Sequence, residues 1–222
     1  MRVFDLSHPM DSGMPVYPGT AAPEFLQAHR LDSDGFREKR LSMVSHTGTH
    51  VDAPAHILEG GATLDALPAE TFLGRGVLVD VTGDTGPTIR SDVVETGLAA
   101  DDDADFLLIR TGWDRLWGSE AYFRGYPVLA PEAAAAAASA GLKGVALDCI
   151  SADPADTEGF PVHRILLGAG LVIVENLRGL EELPARGFRF SCFPLRIVDA
   201  DGSPVRAVAW IDENDGSLVS GA

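Results

Sequence analysis

Pro131-Glu-Ala-Ala-Ala-Ala-Ala-Ala-Ser-Ala-Gly-Leu-Lys-Gly-Val-Ala-Leu-Asp-Cys-Ile150 is a helix pattern followed at once by a strand pattern. Proline is common at the first turn of a helix and glycine just past its end, so this stretch predicts a helix over Pro131–Ala140. The six consecutive alanines indicate that this helix packs closely enough against its neighbours to tolerate only small side chains. The apolar residues that follow predict a buried strand.

Apolar, β-branched runs recur on both sides of this stretch. Six of them predict strands: Gly76–Val81, Phe106–Ile109, Gly144–Ile150, Leu171–Val174, Phe188–Val198 and Val205–Ile211. Several runs are nearly continuous rather than alternating, which favours strands buried on both faces. The helix between the second and third runs indicates a βαβ unit. Asp199–Pro204 predicts a hairpin turn between the last two strands. The expected fold is α/β with a mixed central sheet, in a single domain over residues 1–222.

Composition excludes several classes of function. The 222 residues include 33 acidic and 17 basic side chains, and the resulting net charge of −16 is the opposite of what nucleic acid or an anionic membrane would attract. No apolar run approaches the roughly 18 residues that a membrane helix needs. Two cysteines, Cys149 and Cys192, are too few for a disulfide framework and are expected to be buried free thiols. Without a signal-peptide pattern at the N-terminus, the expected location is the cytoplasm.

Histidines are concentrated in one short stretch, His46-Thr-Gly-Thr-His-Val-Asp-Ala-Pro-Ala-His56. Imidazole nitrogens and carboxylate oxygens are the non-sulfur ligands that zinc, manganese and iron accept. Gly48 and Pro54 argue against a continuous helix, so the stretch predicts a strand end that folds into a loop with converging side chains. The alternative is a polar loop whose histidines bond to backbone carbonyls. His163 and Glu175, twelve residues apart, are by themselves better explained as a helix-start histidine and a strand-end carboxylate.

The same stretch resembles the H-x-G-T-H-x-D-x-P-x-H signature of the metal-dependent cyclase family, which includes bacterial kynurenine formamidase (arylformamidase) and isatin hydrolase. Every fixed position of the signature is present. The pair His163-x11-Glu175 is similar to the second half of the family's metal site. The resemblance extends over nearly the whole chain, through Phe4–Pro9, Met14–Gly19, Leu108–Trp113 and Ala146–Pro154.

The resemblance implies a fold, an assembly and a metal site. The fold is a swivelling β/α/β type, in a homo-oligomer, either a dimer or a tetramer. The implied metal ligands are His46, His50, Asp52, His163 and Glu175. The first three would hold one divalent ion and the last two a second, with Asp52 bridging both. Zinc is the first choice and manganese the alternative, with one or two ions per chain, and His56 would be the catalytic acid/base.

The implied activity is hydrolysis of a small amide, an N-formyl arylamine or a cyclic amide by metal-activated water. Tyr17 stands where formamidase relatives carry a tryptophan that stacks on an aryl ring, which implies a substrate-binding role. Kynurenine formamidase, an enzyme of tryptophan catabolism, is the best single name, and an isatin hydrolase-like lactamase is the alternative. A non-catalytic homologue that binds metal or a small molecule is the alternative from another class, and the intact His56 argues against it.

Overall fold

The computed structural model describes residues 1–83 and 86–212. Its strands are β1 Arg2–Asp5, β2 Glu24–His29, β3 Glu38–Ser42, β4 His50–Asp52, β5 Leu73–Asp80, β6 Thr88–Ile89, β7 Phe106–Arg110, β8 Val128–Leu129, β9 Gly144–Leu147, β10 Val172–Glu175, β11 Phe188–Ser191, β12 Gly202–Pro204 and β13 Val208–Ile211. Its α-helices are α1 Leu31–Asp34, α2 Ser91–Leu98, α3 Pro131–Ser139 and α4 Pro161–Gly168. Short 3₁₀ helices span Pro54–His56, Ala69–Phe72, Trp113–Leu116, Glu120–Phe123 and Leu180–Glu182.

Nine of the described strands form one sheet, in the order β1, β13, β11, β5, β7, β9, β10, β4, β12. The four central strands β5, β7, β9 and β10 are parallel, and the strands on both sides of them are antiparallel. Parallel strands are buried on both faces, which explains their nearly continuous apolar sequences. The predicted α/β class with a mixed central sheet is confirmed.

Side chains of the central strands alternate between two apolar clusters, one on each face of the sheet. In β7, Leu107 and Ile109 pack beneath helices α2, α3 and α4, whereas Phe106 and Leu108 lie in the opposite cluster. All four side chains are fully buried. The helices cover only one face, so the antiparallel strands and their loops must enclose the other.

The predicted helix over Pro131–Ala140 is α3, which ends one residue earlier. It lies between α2 and α4, and Ala133, Ala134 and Ala137 are fully buried there. The alanine run therefore reflects close helix contact, as expected. Both cysteines are free and buried, also as expected.

The end of the chain differs from the prediction. The run Phe188–Val198 forms a strand only to Ser191, because Pro194 cannot donate to a sheet ladder and the apolar side chains beyond it are exposed. The strands β11 and β13 do pair antiparallel. However, Asp199–Pro204 is not their hairpin turn, since Gly202–Pro204 is strand β12 and pairs with β4 at the far side of the sheet.

The other five runs overlap their strands, with ends displaced by up to three residues.

No helix within residues 1–83 and 86–212 combines the length and the apolar character that a bilayer span requires. The single domain over residues 1–222 stays a prediction, and residues 84–85 and 213–222 lie outside the described ranges.

Candidate metal centre

Strand β4 positions the first two chemical groups of the site. It pairs antiparallel with β10, in a register that sets His50 opposite Glu175. Residues two apart in a strand share a face, so Asp52 lies beside His50, whereas Val51 points into the opposite apolar cluster. His50 Nε2 is 3.3 Å from Asp52 Oδ1 and 3.4 Å from Glu175 Oε2. All three polar side chains are buried.

Helix α4 brings His163 to the same point. The backbone N–H groups of Val162 and His163 donate to the carboxylate of Asp153, at 3.0 and 2.9 Å, which fixes the first turn of the helix. From this turn His163 Nε2 approaches Glu175 Oε1 at 3.3 Å and Asp52 Oδ2 at 3.7 Å. The two halves of the sequence pattern therefore meet.

A tight turn before β4 adds His46. Gly48 has a φ of +68°, and a side chain there would also collide with Met14, since its Cβ would lie 2.8 Å from Met14 Cε. The turn directs His46 back toward the strand, where its Nδ1 lies 2.7 Å from Asp52 Oδ1. This is the irregular backbone with converging side chains that the sequence predicts.

Each of these three imidazoles has one nitrogen directed at the buried carboxylates and the other directed at an acceptor outside the cluster. These outer contacts are His46 Nε2 to Asp201 Oδ2 at 2.9 Å, His50 Nδ1 to the Gly48 carbonyl at 2.8 Å and His163 Nδ1 to Asp153 Oδ2 at 2.7 Å. An outer acceptor holds the proton on the outer nitrogen and leaves the inner lone pair for a metal. The pattern is that of imidazoles prepared for coordination.

The donor set fits a divalent cation. Within the described residues, three inner imidazole nitrogens and the carboxylates of Asp52 and Glu175 converge. Asp52 Oδ2 is buried and has no hydrogen-bond partner in the protein. An unpartnered buried carboxylate oxygen is costly, and a cation would satisfy it. The carboxylates of Asp52 and Glu175 with His50 can place one donor atom each within 4.8 Å of one another.

Charges in the site stabilise positive charge. Burial lowers the pKa of His46, but its hydrogen bonds to Asp52 and Asp201 outweigh burial and raise the pKa to about 9. Burial likewise opposes protonation of His163, while its hydrogen bonds to Asp153 and Glu175 raise the pKa to about 10. Burial alone would raise the pKa of Asp52, yet the neighbouring His50 and His46 hold it well below the usual range. The carboxylates of the site therefore stabilise positive charge beside them, whether it is a proton or a bound cation.

His56 lies at the end of the 3₁₀ helix that follows β4. Its ring centroid is 3.9 Å from that of His46, and its Nδ1 is 3.4 Å from Asp201 Oδ2. Burial lowers the pKa of His56, so the ring is neutral near neutral pH. A donor atom of His56 also lies within 4.8 Å of donor atoms of His46 and Asp52. The geometry is thus compatible with two roles for His56, a proton carrier or a further metal ligand.

A cavity of about 360 Å³ opens onto this centre. Tyr17 and Phe160 contribute aromatic rings to its wall, beside the proposed ligands and His56. The Tyr17 hydroxyl donates to the Ala155 carbonyl at 3.3 Å, and burial raises its pKa. A larger cavity of about 850 Å³ reaches Asp201 but none of the five proposed ligands. The smaller cavity is therefore the candidate substrate site.

All sequence-predicted site residues meet at this place, and three further residues support them. Asp153 and Asp201 accept from His163 and His46. Asn176 donates from Nδ2 to the Gly48 carbonyl at 2.9 Å and accepts from the Tyr122 hydroxyl at 2.6 Å. Asn176 directly follows Glu175, but no local pattern predicts its contacts with Gly48 and Tyr122. Asp201 lies in the stretch predicted to be a turn, and that local interpretation did not predict its contact with His46.

Comparison with known proteins identifies the family of the chain. The sequence model of the Cyclase family matches residues 4–154. The chain is 32% identical to the kynurenine formamidase of Paracidovorax citrulli over 93% of its own length and 95% of that protein's. It is 31% identical to the kynurenine formamidase of Salinibacter ruber, with 94% and 97% covered. Isatin hydrolase A from Labrenzia aggregata, solved with benzyl benzoate, superposes with a TM-score of 0.85 at 27% identity, covering 96% and 94% of the two chains. This chain belongs to the Cyclase family.

Proposed function

We propose that the protein is a metal-dependent hydrolase that cleaves the C–N bond of a small amide. The observation that carries the proposal is the buried cluster of three imidazoles and two carboxylates, each imidazole held by an outer acceptor, beside a cavity of about 360 Å³. The names of the relatives, kynurenine formamidase and isatin hydrolase, support amide chemistry.

The proposed ligands form two groups that share one carboxylate. His46, His50 and Asp52 would hold one ion, and Asp52, His163 and Glu175 would hold a second where both sites fill. Zinc is the first choice and manganese the alternative, because nitrogen and oxygen ligands accept either. A divalent cation bound here supplies Lewis acidity, which polarises a carbonyl and makes water more acidic.

His56 is the proposed acid/base. Its neutral imidazole accepts the proton that water loses as the water oxygen attacks the carbonyl carbon. With Nδ1 directed at Asp201, the accepting atom is Nε2. The same nitrogen then delivers the proton to the leaving nitrogen as the C–N bond breaks. Tyr17 contributes an aromatic face against an aryl substrate.

Two substrate classes compete within this activity. N-formylkynurenine, an N-formyl arylamine, is the first choice. Two relatives with 31–32% identity, aligned over almost their full length, are named kynurenine formamidase. A cyclic amide such as isatin is the second, and the TM-score of 0.85 to an isatin hydrolase favours it. In this chain Tyr17 provides a smaller ring than the tryptophan expected of a formamidase, which suits either substrate.

Assembly and location belong to the same proposal. A homodimer or tetramer is supported by the exposed apolar side chains of Leu41, Leu195, Ile197 and Val198. A cytoplasmic location is supported by the two free, buried thiols, which need no oxidising compartment.

The test combines metal analysis with a substrate panel. We expect elemental analysis of the purified protein to find one or two equivalents of zinc per chain. We expect the loaded enzyme to hydrolyse N-formylkynurenine with a higher kcat/KM than isatin, a simple lactone or an ester, and the chelated protein to be inactive until zinc is restored. Faster turnover of isatin would favour the lactamase. Tight metal binding without turnover of any substrate would contradict the proposal and favour a non-catalytic homologue.

A further inference from the structure

Asp201 is fixed in place by two contacts that do not involve a histidine. It directly precedes β12, the edge strand that pairs with β4. Its backbone carbonyl accepts from the Ala53 N–H at 2.9 Å, and its Oδ1 accepts from the Ser45 hydroxyl at 3.0 Å. The carboxylate is therefore held against the site although its side chain is 44% exposed.

The other carboxylate oxygen faces two imidazoles at once. Oδ2 lies 2.9 Å from His46 Nε2 and 3.4 Å from His56 Nδ1. The next residue, Gly202, supports this arrangement, because a Cβ there would lie 2.5 Å from His46 Cε1. The backbone of this segment is thus shaped around the His46 ring, and the carboxylate meets its edge.

We propose that Asp201 is a positioning residue that sets the tautomer and orientation of His46 and His56 together. Through Nε2 it holds His46 with Nδ1 directed at Asp52 and the metal position. Through Nδ1 it holds His56 with Nε2 left for proton transfer. The His56 part rests on the proposed function, whereas the His46 part needs only the metal site.

A carboxylate suits this task because it accepts hydrogen bonds and donates none. Both imidazoles must therefore present an N–H to it, which leaves each opposite nitrogen with a free lone pair. An asparagine has the same shape but carries two N–H donors. Where its amide nitrogen faces His46 Nε2, the ring proton moves to Nδ1 and blocks the lone pair that faces Asp52.

The first measurement is zinc affinity, by competition with a chromogenic chelator. Losing an outer partner of a metal ligand typically weakens metal binding about 10–100-fold, and we expect a loss of that size for Asp201→Asn. The matched control is Asp199→Asn, which removes the same charge two residues away at an exposed position. Asn tolerates the positive φ of residue 199, so we expect its zinc affinity to equal that of the wild type.

The second measurement is the imidazole tautomer, by ¹⁵N NMR of the zinc-loaded protein. We expect a protonated Nε2 on His46 in the wild type and a lost or shifted signal in Asp201→Asn. The third is kinetic, at saturating zinc, where we expect Asp201→Asn to lower kcat and leave KM unchanged. Asp201→Glu keeps an acceptor and should restore part of both losses.

These measurements separate the inference from the proposed function. If the wild type hydrolyses no substrate, the proposed function fails, while zinc affinity and the His46 signal still decide the His46 part. Wild-type zinc affinity and an unchanged His46 tautomer in both Asp201→Asn and Asp201→Ala, the second of which has no acceptor, would overturn the inference whatever the substrate. Lower zinc affinity with wild-type kcat at saturating zinc would overturn the His56 part. If Asp201→Asn fails to fold, Asp201→Ala takes its place. Losses in Asp201→Ala that Asp201→Glu partly reverses would support the inference, and wild-type values in Asp201→Ala would overturn it.

Discussion

At the scale of single residues, His46 and His56 show how the surroundings shift the pKa of one side-chain type in opposite directions. Their rings are 3.9 Å apart, yet the pKa of His46 is raised to about 9 and that of His56 is lowered. For His46, close carboxylates outweigh burial, whereas for His56 burial dominates. A proton or a metal ion on His46 would repel a second positive charge on His56, so a neutral His56 is the favourable arrangement.

The first prediction concerns His56. We expect His56→Ala to keep its zinc and to lose about 10²–10⁴-fold in kcat, the usual contribution of a positioned acid/base. Zinc content by elemental analysis and turnover of the best substrate measure the two effects. His29→Ala is the control, because that histidine ends β2 in a separate two-stranded sheet and lines neither of the two cavities. A variant that lost its zinc would instead make His56 a ligand.

The convergence of the proposed ligands could be predicted because they are concentrated in sequence or carry a family pattern. His46, His50 and Asp52 stand within seven positions of one another. Asp201 could not be predicted in the same way, since it is 155 positions from His46 and sits in an Asp-Gly pair that has a purely local interpretation as a turn. Only the sheet order reveals its role.

At the scale of elements, α3 is specified by local sequence, whereas β12 depends on a distant strand. The helix is specified locally, by Pro131, the alanine run and Gly141, and it forms where predicted. The strand β12 has three residues and depends on β4, which lies about 150 positions earlier. A short strand has too little periodicity to be distinguished from a loop, so Gly202–Pro204 carries no local signal.

Helix α3 gives a prediction about stability. Ala134 is fully buried and Ala135 is exposed on the same helix. We expect Ala134→Leu to destabilise the fold by about 1–3 kcal/mol, because extra methylene groups have no space in a closely packed core. We expect Ala135→Leu to change the free energy of unfolding by less than about 0.5 kcal/mol, as surface substitutions usually do. Urea unfolding measures both, and equal stabilities would contradict the close helix contact.

At the scale of the whole molecule, the net charge and the exposed apolar surface have opposite effects on the association of chains. The net charge of −16 favours separation of chains, yet the segment Phe193–Val198 exposes four large apolar side chains. Leu41 and Val44 line the same cavity of about 850 Å³ as Leu195, Ile197 and Val198. A second copy of the chain that covers this surface would remove it from water, which is the physical basis of the proposed oligomer.

The corresponding prediction is that the protein forms an oligomer and that one charged substitution in the apolar surface weakens it. We expect light scattering after size-exclusion chromatography to give the mass of two or four chains. We expect Leu195→Glu to shift the distribution toward one chain, because an unpaired charge in an apolar interface is costly. Val3→Glu, at an exposed apolar position on β1, is the control. A wild-type mass of 23.5 kDa, that of one chain, at micromolar concentration would rule out the oligomer.

The place of β4 in the sheet has a consequence for the order of folding. This strand carries His50 and Asp52, but its two sheet neighbours, β10 and β12, are about 125 and 150 positions further along the chain. Pairings between such distant segments pay a large loop-closure entropy and tend to form late. During synthesis β4 has no sheet partner until β10 has emerged, and its other edge stays unpaired until residues beyond 200 follow. The proposed metal site, whose last ligand is Glu175, can therefore form only after at least 175 of the 222 residues have been made.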